Sequence, residues 1–134
     1  MTMQQRNAVK KNGKVLGALE EAIMEVLWRK GSGTVREVCA VVGRRRDIAY
    51  TTVMTVMTRL TEKKVLCRKE LRDGSFLYTP CESREGFYAK ASHTLFSEMV
   101  RSFGAVAVAQ FVDVLEEVDP KQVEALRERL KVKR

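Results

Sequence analysis

Residues 49–64 read AYTTVMTVMTRLTEKK, and the fold turns on whether they form a strand or a helix. Their Thr and Val content favours a strand by intrinsic preference. Their spacing favours a helix. Ala49, Val53, Val56, Met57 and Leu60 gather on one side at 100° per residue, whereas a two-residue alternation mixes Thr with apolar residues on both faces. The segment Ala49 to Lys64 therefore reads as a helix with an inward apolar face. Its outer face carries Thr51, Thr52, Met54, Thr55, Thr58 and Arg59.

Working outward, Leu16, Leu19, Ile23, Val26 and Leu27 recur at helical spacing, and Gly31-Ser32-Gly33 ends that first helix. Thr34-Val-Arg-Glu37 is a capping-box sequence, in which Glu37 can reach back to the Thr34 amide. It opens a second helix with Val35, Val38, Cys39 and Val42 on one face, expected to stop at Gly43. A charged turn follows, carrying Arg44, Arg45, Arg46 and Asp47. Downstream lie two strands, Val65 to Leu71 and Ser75 to Thr79, joined through Arg72-Asp73-Gly74, with Pro80 closing the hairpin. Helix, helix, helix, hairpin is the order of a winged helix-turn-helix unit.

From Ser83 onward the pattern gives three more helices. The first carries Phe87, Tyr88, Ala91, Leu95, Met99 and Phe103; Gly104 separates it from a second with Val108, Phe111, Val112, Leu115 and Val118. Asp119-Pro120, with Gln122, starts the last, which presents Val123, Leu126 and Leu130. The fold class is mainly α with a small β-hairpin. A flexible basic arm (1–14) precedes a winged-helix DNA-binding domain (15–82) and a three-helix dimerisation domain (83–134).

Charge sorts the two halves by role. The chain of 134 residues has a formal net charge of +8; residues 1–72 hold 16 Lys and Arg against 7 Asp and Glu, and residues 73–134 hold 9 against 10. Only the first half is built to meet a polyanion, either nucleic acid or an anionic membrane surface. The membrane is disfavoured, because the basic segments lack an amphipathic face with exposed Trp or Phe, and no apolar run is long enough to span a bilayer. The N-terminus has no apolar signal core, so the expected location is the cytoplasm.

A helix lying in the major groove needs short side chains that reach base edges, and Thr51, Thr52, Met54, Thr55 and Arg59 fit that need. Arg44, Arg45, Arg46 and the wing residue Arg72 are placed to hold phosphates, with Arg36, Lys63, Lys64, Arg68 and Lys69 around the same unit. The C-terminal helices are too short to bury their large apolar positions alone. Phe87, Leu95, Met99, Phe103, Phe111, Leu115, Leu126 and Leu130 are expected to pack against a second copy, giving a homodimer with two reading helices. Trp28 is expected in the core.

Catalysis finds no support: there is no Gly-rich phosphate loop, no nucleophile elbow and no paired His. Cys39, Cys67 and Cys81 are odd in number and widely spaced, so they read as packing residues, as does His93. No metal or cofactor is expected. The competing functional class is a protein-interaction adaptor that docks its winged unit on an acidic partner.

Four stretches carry a resemblance: L-G-x-L-E-x-x-I-M-x-x-L-W (Leu16 to Trp28), T-V-R-E-V (Thr34 to Val38), A-Y-T-T-V-M-T-V-M-T-R-L (Ala49 to Leu60) and F-L-Y-T-P (Phe76 to Pro80). Together they resemble the penicillinase-repressor family from about Leu16 to Leu130. The resemblance implies a dimeric repressor of a resistance or stress-response operon, bound to a palindromic promoter operator of double-stranded DNA of the TACA/TGTA kind. It places Thr52, Thr55 and Arg59 towards the operator. Met54 departs from a position often basic elsewhere in the family, and Ser75 stands where a basic wing residue is common, leaving Arg72 as the wing contact. In the β-lactam branch a regulatory protease ends repression by cutting between an Asn and a Phe. The nearest match here is Gln110-Phe111. The Cys-x-Cys pairs of the copper-responsive branch are missing.

Overall fold

A computed structural model of the chain describes residues 15–45 and 47–132, apart from the side chains of Arg45 and of residues 130–132. Within these residues the element order is α1 (Ala18–Lys30), α2 (Val35–Arg45), α3 (Tyr50–Glu62), β1 (Leu66–Glu70), β2 (Phe76–Pro80), α4 (Arg84–Phe103), α5 (Ala105–Val118) and α6 (Pro120–Val132). The expected sequence of elements is present, with shifted ends.

α1 starts two residues later than the apolar pattern suggests, because Gly17 caps it and donates its N–H to the Glu20 carboxylate at 2.9 Å. It stops at Gly31, whose φ of 91° is a left-handed conformation that a side chain disfavours. The capping box forms at α2: Thr34 N–H donates to Glu37 Oε1 (3.1 Å) and Glu37 N–H to Thr34 Oγ1 (3.2 Å). Lys30 also donates to Glu37, at 2.7 Å. Lys30, followed by the Thr34 donors, holds the Glu37 carboxyl down at about 2. Gly43 does not stop α2, which continues to Arg45. A helix-interior glycine costs only about 1 kcal/mol, and burial of Val38 and Val42 outweighs it.

α3 is helical from Tyr50 to Glu62, as its period requires. Ala49, expected on the inward face, is instead the exposed N-cap. The helix ends at Lys63, and Lys64 follows with φ of 65°; Val65 N–H then donates back to Leu60 O at 2.9 Å. β1 and β2 pair antiparallel, from Leu66 opposite Pro80 to Glu70 opposite Phe76. Pro80 is thus the last residue of β2 rather than a stop beyond it. Gly33 adds a bridge to β2, exchanging both backbone hydrogen bonds with Tyr78 at 2.9 Å.

Ile23, Met24, Leu27, Val38, Val53, Met57, Leu60 and Leu66 are fully buried and form the centre of the core. They come from α1, α2, α3 and β1. Trp28 is half-buried at the edge of this cluster, where its indole N–H donates to Glu82 O at 3.1 Å. The cysteines depart from expectation. Cys67 and Cys81 are joined in a disulfide, with Cα atoms 5.4 Å apart, and only Cys39 is free, half-buried against the core. Cys81 follows Thr79, the cross-strand partner of Cys67, by two residues, so both side chains stand on one face of the hairpin.

The described residues separate into two compact units, one up to Ser92 and one from His93, with the division inside α4. The first turns of α4 belong with the winged unit: Trp28 stacks with Phe87 (5.6 Å) and Tyr88 (5.7 Å), and Arg84 pairs with Glu25 at 2.9 Å. In the second unit Ala107 and Val123 are buried, and the Phe96 and Phe111 rings lie 5.1 Å apart. Asp119 caps α6 by accepting from Gln122 N–H at 3.3 Å.

Candidate nucleic-acid interface

The inner face of α3 is anchored by Val53, Met57 and Leu60, each at 0% exposure, and the helix packs on α1, α2 and β1. Rigid anchoring of one face fixes the direction of the other. Thr51, Thr52, Thr55 and Arg59 are exposed, and Met54 is 41% exposed, a cost in water for a thioether side chain. Thr58 is half-buried at the margin.

The hydroxyls on this face are not equivalent. Thr55 donates to Thr51 O, Thr58 to Met54 O and Thr61 to Met57 O, all at 2.9 Å. Each proton is thereby committed within the helix. What these residues offer outward is a methyl group and an oxygen that accepts. Such a surface suits thymine methyls and the amino groups of adenine and cytosine, while Arg59 supplies the donors that guanine needs.

The flank of α3 towards the hairpin is aromatic. Tyr50, 49% exposed, stands one turn before Met54. Both line a groove of about 370 Å³ whose other walls are Thr34 to Arg36 and the turn Asp73 to Phe76. Tyr50 was not among the residues singled out from sequence, although its position four residues before Met54 places it on the same side. At the turn, Gly74 takes φ of 87°, and Asp73 accepts from the hydroxyl and backbone N–H of Ser75. The Ser75 hydroxyl, then its N–H, hold the Asp73 carboxyl below the usual carboxylate range. Ser75 thus braces the turn, and Arg72 beside it is exposed.

Among the described residues, Arg44, Arg59 and Arg72 are exposed and make no ion pair. The backbone of Arg45 ends α2, while its side chain and all of Arg46 lie outside the described residues, as do residues 1–14. Two other basic residues are occupied: Lys63 pairs with Glu20 at 3.4 Å, and Arg68 lies 4.2 Å from the centre of the Phe76 ring.

The residues expected to pair two copies fall into three groups. Phe87 lies in the first unit against Trp28. Leu95, Leu115 and Leu126 are half-buried within the second unit, and the side chain of Leu130 lies outside the described residues. Met99 (40%), Phe103 (66%) and Phe111 (38%) are exposed, and so are Phe96, Val100, Val106, Val108, Val112, Val114 and Val118. Gln110 and Phe111 sit in the middle of α5, both exposed.

Three packed helices, an outward polar face on the third and a hairpin beside it define a winged-helix DNA-binding module. The penicillinase repressor family model matches residues 16–132, and the chain belongs to that family. It is a DNA-binding transcriptional repressor and not an enzyme. The transcriptional regulator BlaI of Mycobacterium tuberculosis, in strains CDC 1551 and H37Rv, is 36% identical over 117 residues, covering 86% of this chain and 82% of the relative. The solution structure of the DNA-binding domain of the repressor BlaI is similar at 25% identity and a TM-score of 0.47, over 52% of this chain and 83% of that one. No helix among the described residues is long and apolar enough to cross a membrane.

Proposed function

We propose that the chain acts as a homodimer on a palindromic promoter operator, with α3 of each copy in a major groove. The observation that carries this reading is the exposed face of Thr51, Thr52, Met54, Thr55 and Arg59 on a helix whose other face is fully buried. Arg44, Arg45, Arg46 and Arg72 hold phosphates on either side and set the register. Repression follows from occlusion of the promoter. Two copies meet through the apolar face of α4 and α5, to which Met99, Phe103 and Phe111 contribute; Phe87 is turned towards Trp28 and is not part of that face.

Release from DNA by a regulatory protease at Gln110-Phe111 requires α5 to open, because a protease takes its substrate extended and this bond is mid-helix. Gln110 is exposed, whereas Phe111 lies on the pairing face proposed above, so cutting also requires the two copies to part locally as the helix frays.

The test is binding of the purified protein to its own upstream DNA and to a scrambled duplex across a salt series. A preference of about 1,000-fold at physiological salt, a two-fold symmetric footprint and a steep fall with salt are expected. Weak, salt-insensitive binding without sequence preference contradicts the reading and favours the adaptor.

A further inference from the structure

The Cys67–Cys81 bond sits where the hairpin leaves the rest of the winged unit. Upstream of it, Val65 joins β1 to α3 by donating to Leu60 O at 2.9 Å. Val65 O in turn accepts from Cys81 N–H at 3.0 Å. Leu66 and Pro80 face each other as a non-hydrogen-bonded pair, where a proline removes no ladder bond, so the backbone pairing at this open end of the hairpin finishes on the Cys81 to Val65 bond. The sulfur bond fastens this open end of the hairpin. Cys67 is exposed and Cys81 half-buried, so a small oxidant can reach the pair.

A repressor meets its DNA in a compartment whose thiol systems reduce most disulfides. A cross-link there is a state that can be made and unmade. We propose that Cys67 and Cys81 form a peroxide-sensitive dithiol couple that stiffens the base of the wing and strengthens DNA binding when oxidised.

The chemistry closes on hydrogen peroxide as oxidant. The Cys67 thiolate attacks one peroxide oxygen, giving a sulfenic acid and releasing hydroxide. The Cys81 thiolate then attacks that sulfur, forms the S–S bond and displaces a second hydroxide. The two thiol protons convert both hydroxides to water. The two sulfurs lose two electrons, and the peroxide gains them. A dithiol reductant reverses the bond by exchange, ending as its own disulfide.

The consequence follows from where the link lies. Arg68 and Arg72 are carried on this hairpin, and Arg68 is stacked on Phe76 across the strands. With the base fastened, less ordering remains to be done when the wing meets phosphates, and affinity rises. Reduction leaves backbone pairing of the five-residue strands alone to hold the open end of the hairpin.

The proposal rests on the DNA-binding reading for its effect but not for its chemistry, so the test has two readouts on the full chain. After hydrogen peroxide, non-reducing peptide mapping is expected to recover residues 67 and 81 in one linked peptide, and dithiothreitol is expected to separate them. Amide exchange at residues 65–81 is expected to slow in the oxidised form. On the protein's own upstream duplex, the oxidised form is expected to bind roughly three- to tenfold more tightly than the reduced form. The Cys67→Ser/Cys81→Ser double variant should match the reduced form under both conditions, and Cys39→Ser should respond like the parent. Failure to recover the linked peptide overturns the proposal, as does equal affinity of the two forms with unchanged exchange. If neither form binds DNA while the bond and the exchange difference are present, the DNA reading fails and the dithiol couple stands.

Discussion

Phe103→Ala separates a surface reserved for a second copy from one that merely faces water. Phe103 ends α4 and is 66% exposed in the single chain. An aromatic side chain has roughly 200 Å² to bury, so about 130 Å² is open here. Covering that area yields about 3 kcal/mol at 25 cal/mol per Å². A two-fold interface uses the residue twice, giving up to about 6 kcal/mol, and coverage of only half the area gives about 3. The dimer dissociation constant is therefore expected to rise by about 100-fold to 10,000-fold. Sedimentation equilibrium over a range of protein concentrations reads this directly. Because Phe103 contributes little to the core of its own chain, helical content of the monomer should be unchanged, which keeps weakened pairing distinct from misfolding. Wild-type-like association of the variant would refute the reasoning, and so would a parent chain that is monomeric at all concentrations.

Three further outcomes follow from local geometry. Lys64→Gly relieves a left-handed backbone position (φ 65°) and should stabilise the protein by about 1 kcal/mol in denaturant titration; a lower midpoint would contradict that account. The Glu37 carboxyl is held at about 2 by Lys30 and Thr34, below its ordinary 4.5, so it supports the fold above pH 4.5 and loses that support as pH falls towards 2. Glu37→Gln should therefore flatten the acid limb of a Tm-against-pH profile, and parallel profiles for variant and parent would exclude the contribution. If proteolysis ends repression, mass spectrometry of protein from derepressed cells should find fragments ending at Gln110 and starting at Phe111; an intact chain during derepression rules the bond out.

The sequence reveals the fold well where burial has a clear period. Val53, Met57 and Leu60 mark α3 as a helix despite its Thr and Val content, because a buried stripe outweighs strand preference. Ends are less legible: Gly43 looks like a stop, yet α2 runs through it on the strength of Val38 and Val42. The disulfide was hidden by an odd cysteine count and a separation of 14 residues. Its signal lies in the register, since residue 81 follows by two the partner of residue 67. Tyr50 is not legible as a site residue because it precedes the Thr-rich run, and the role of Ser75 in bracing Asp73 depends on turn geometry that residue type alone does not disclose. Phe87 has the spacing of the C-terminal pattern but packs on Trp28, a contact between residues far apart in sequence.

The central claim is that the outer face of α3 reads bases, and Arg59→Ala tests it most directly when its affinity is measured on the cognate operator and on a scrambled duplex. Base reading predicts a loss of about 1–3 kcal/mol per half-site on the operator and a much smaller loss on the scrambled duplex, so that specificity falls. Equal losses on both, with the base preference of the parent intact, would show Arg59 to be a phosphate contact only and would contradict the assignment.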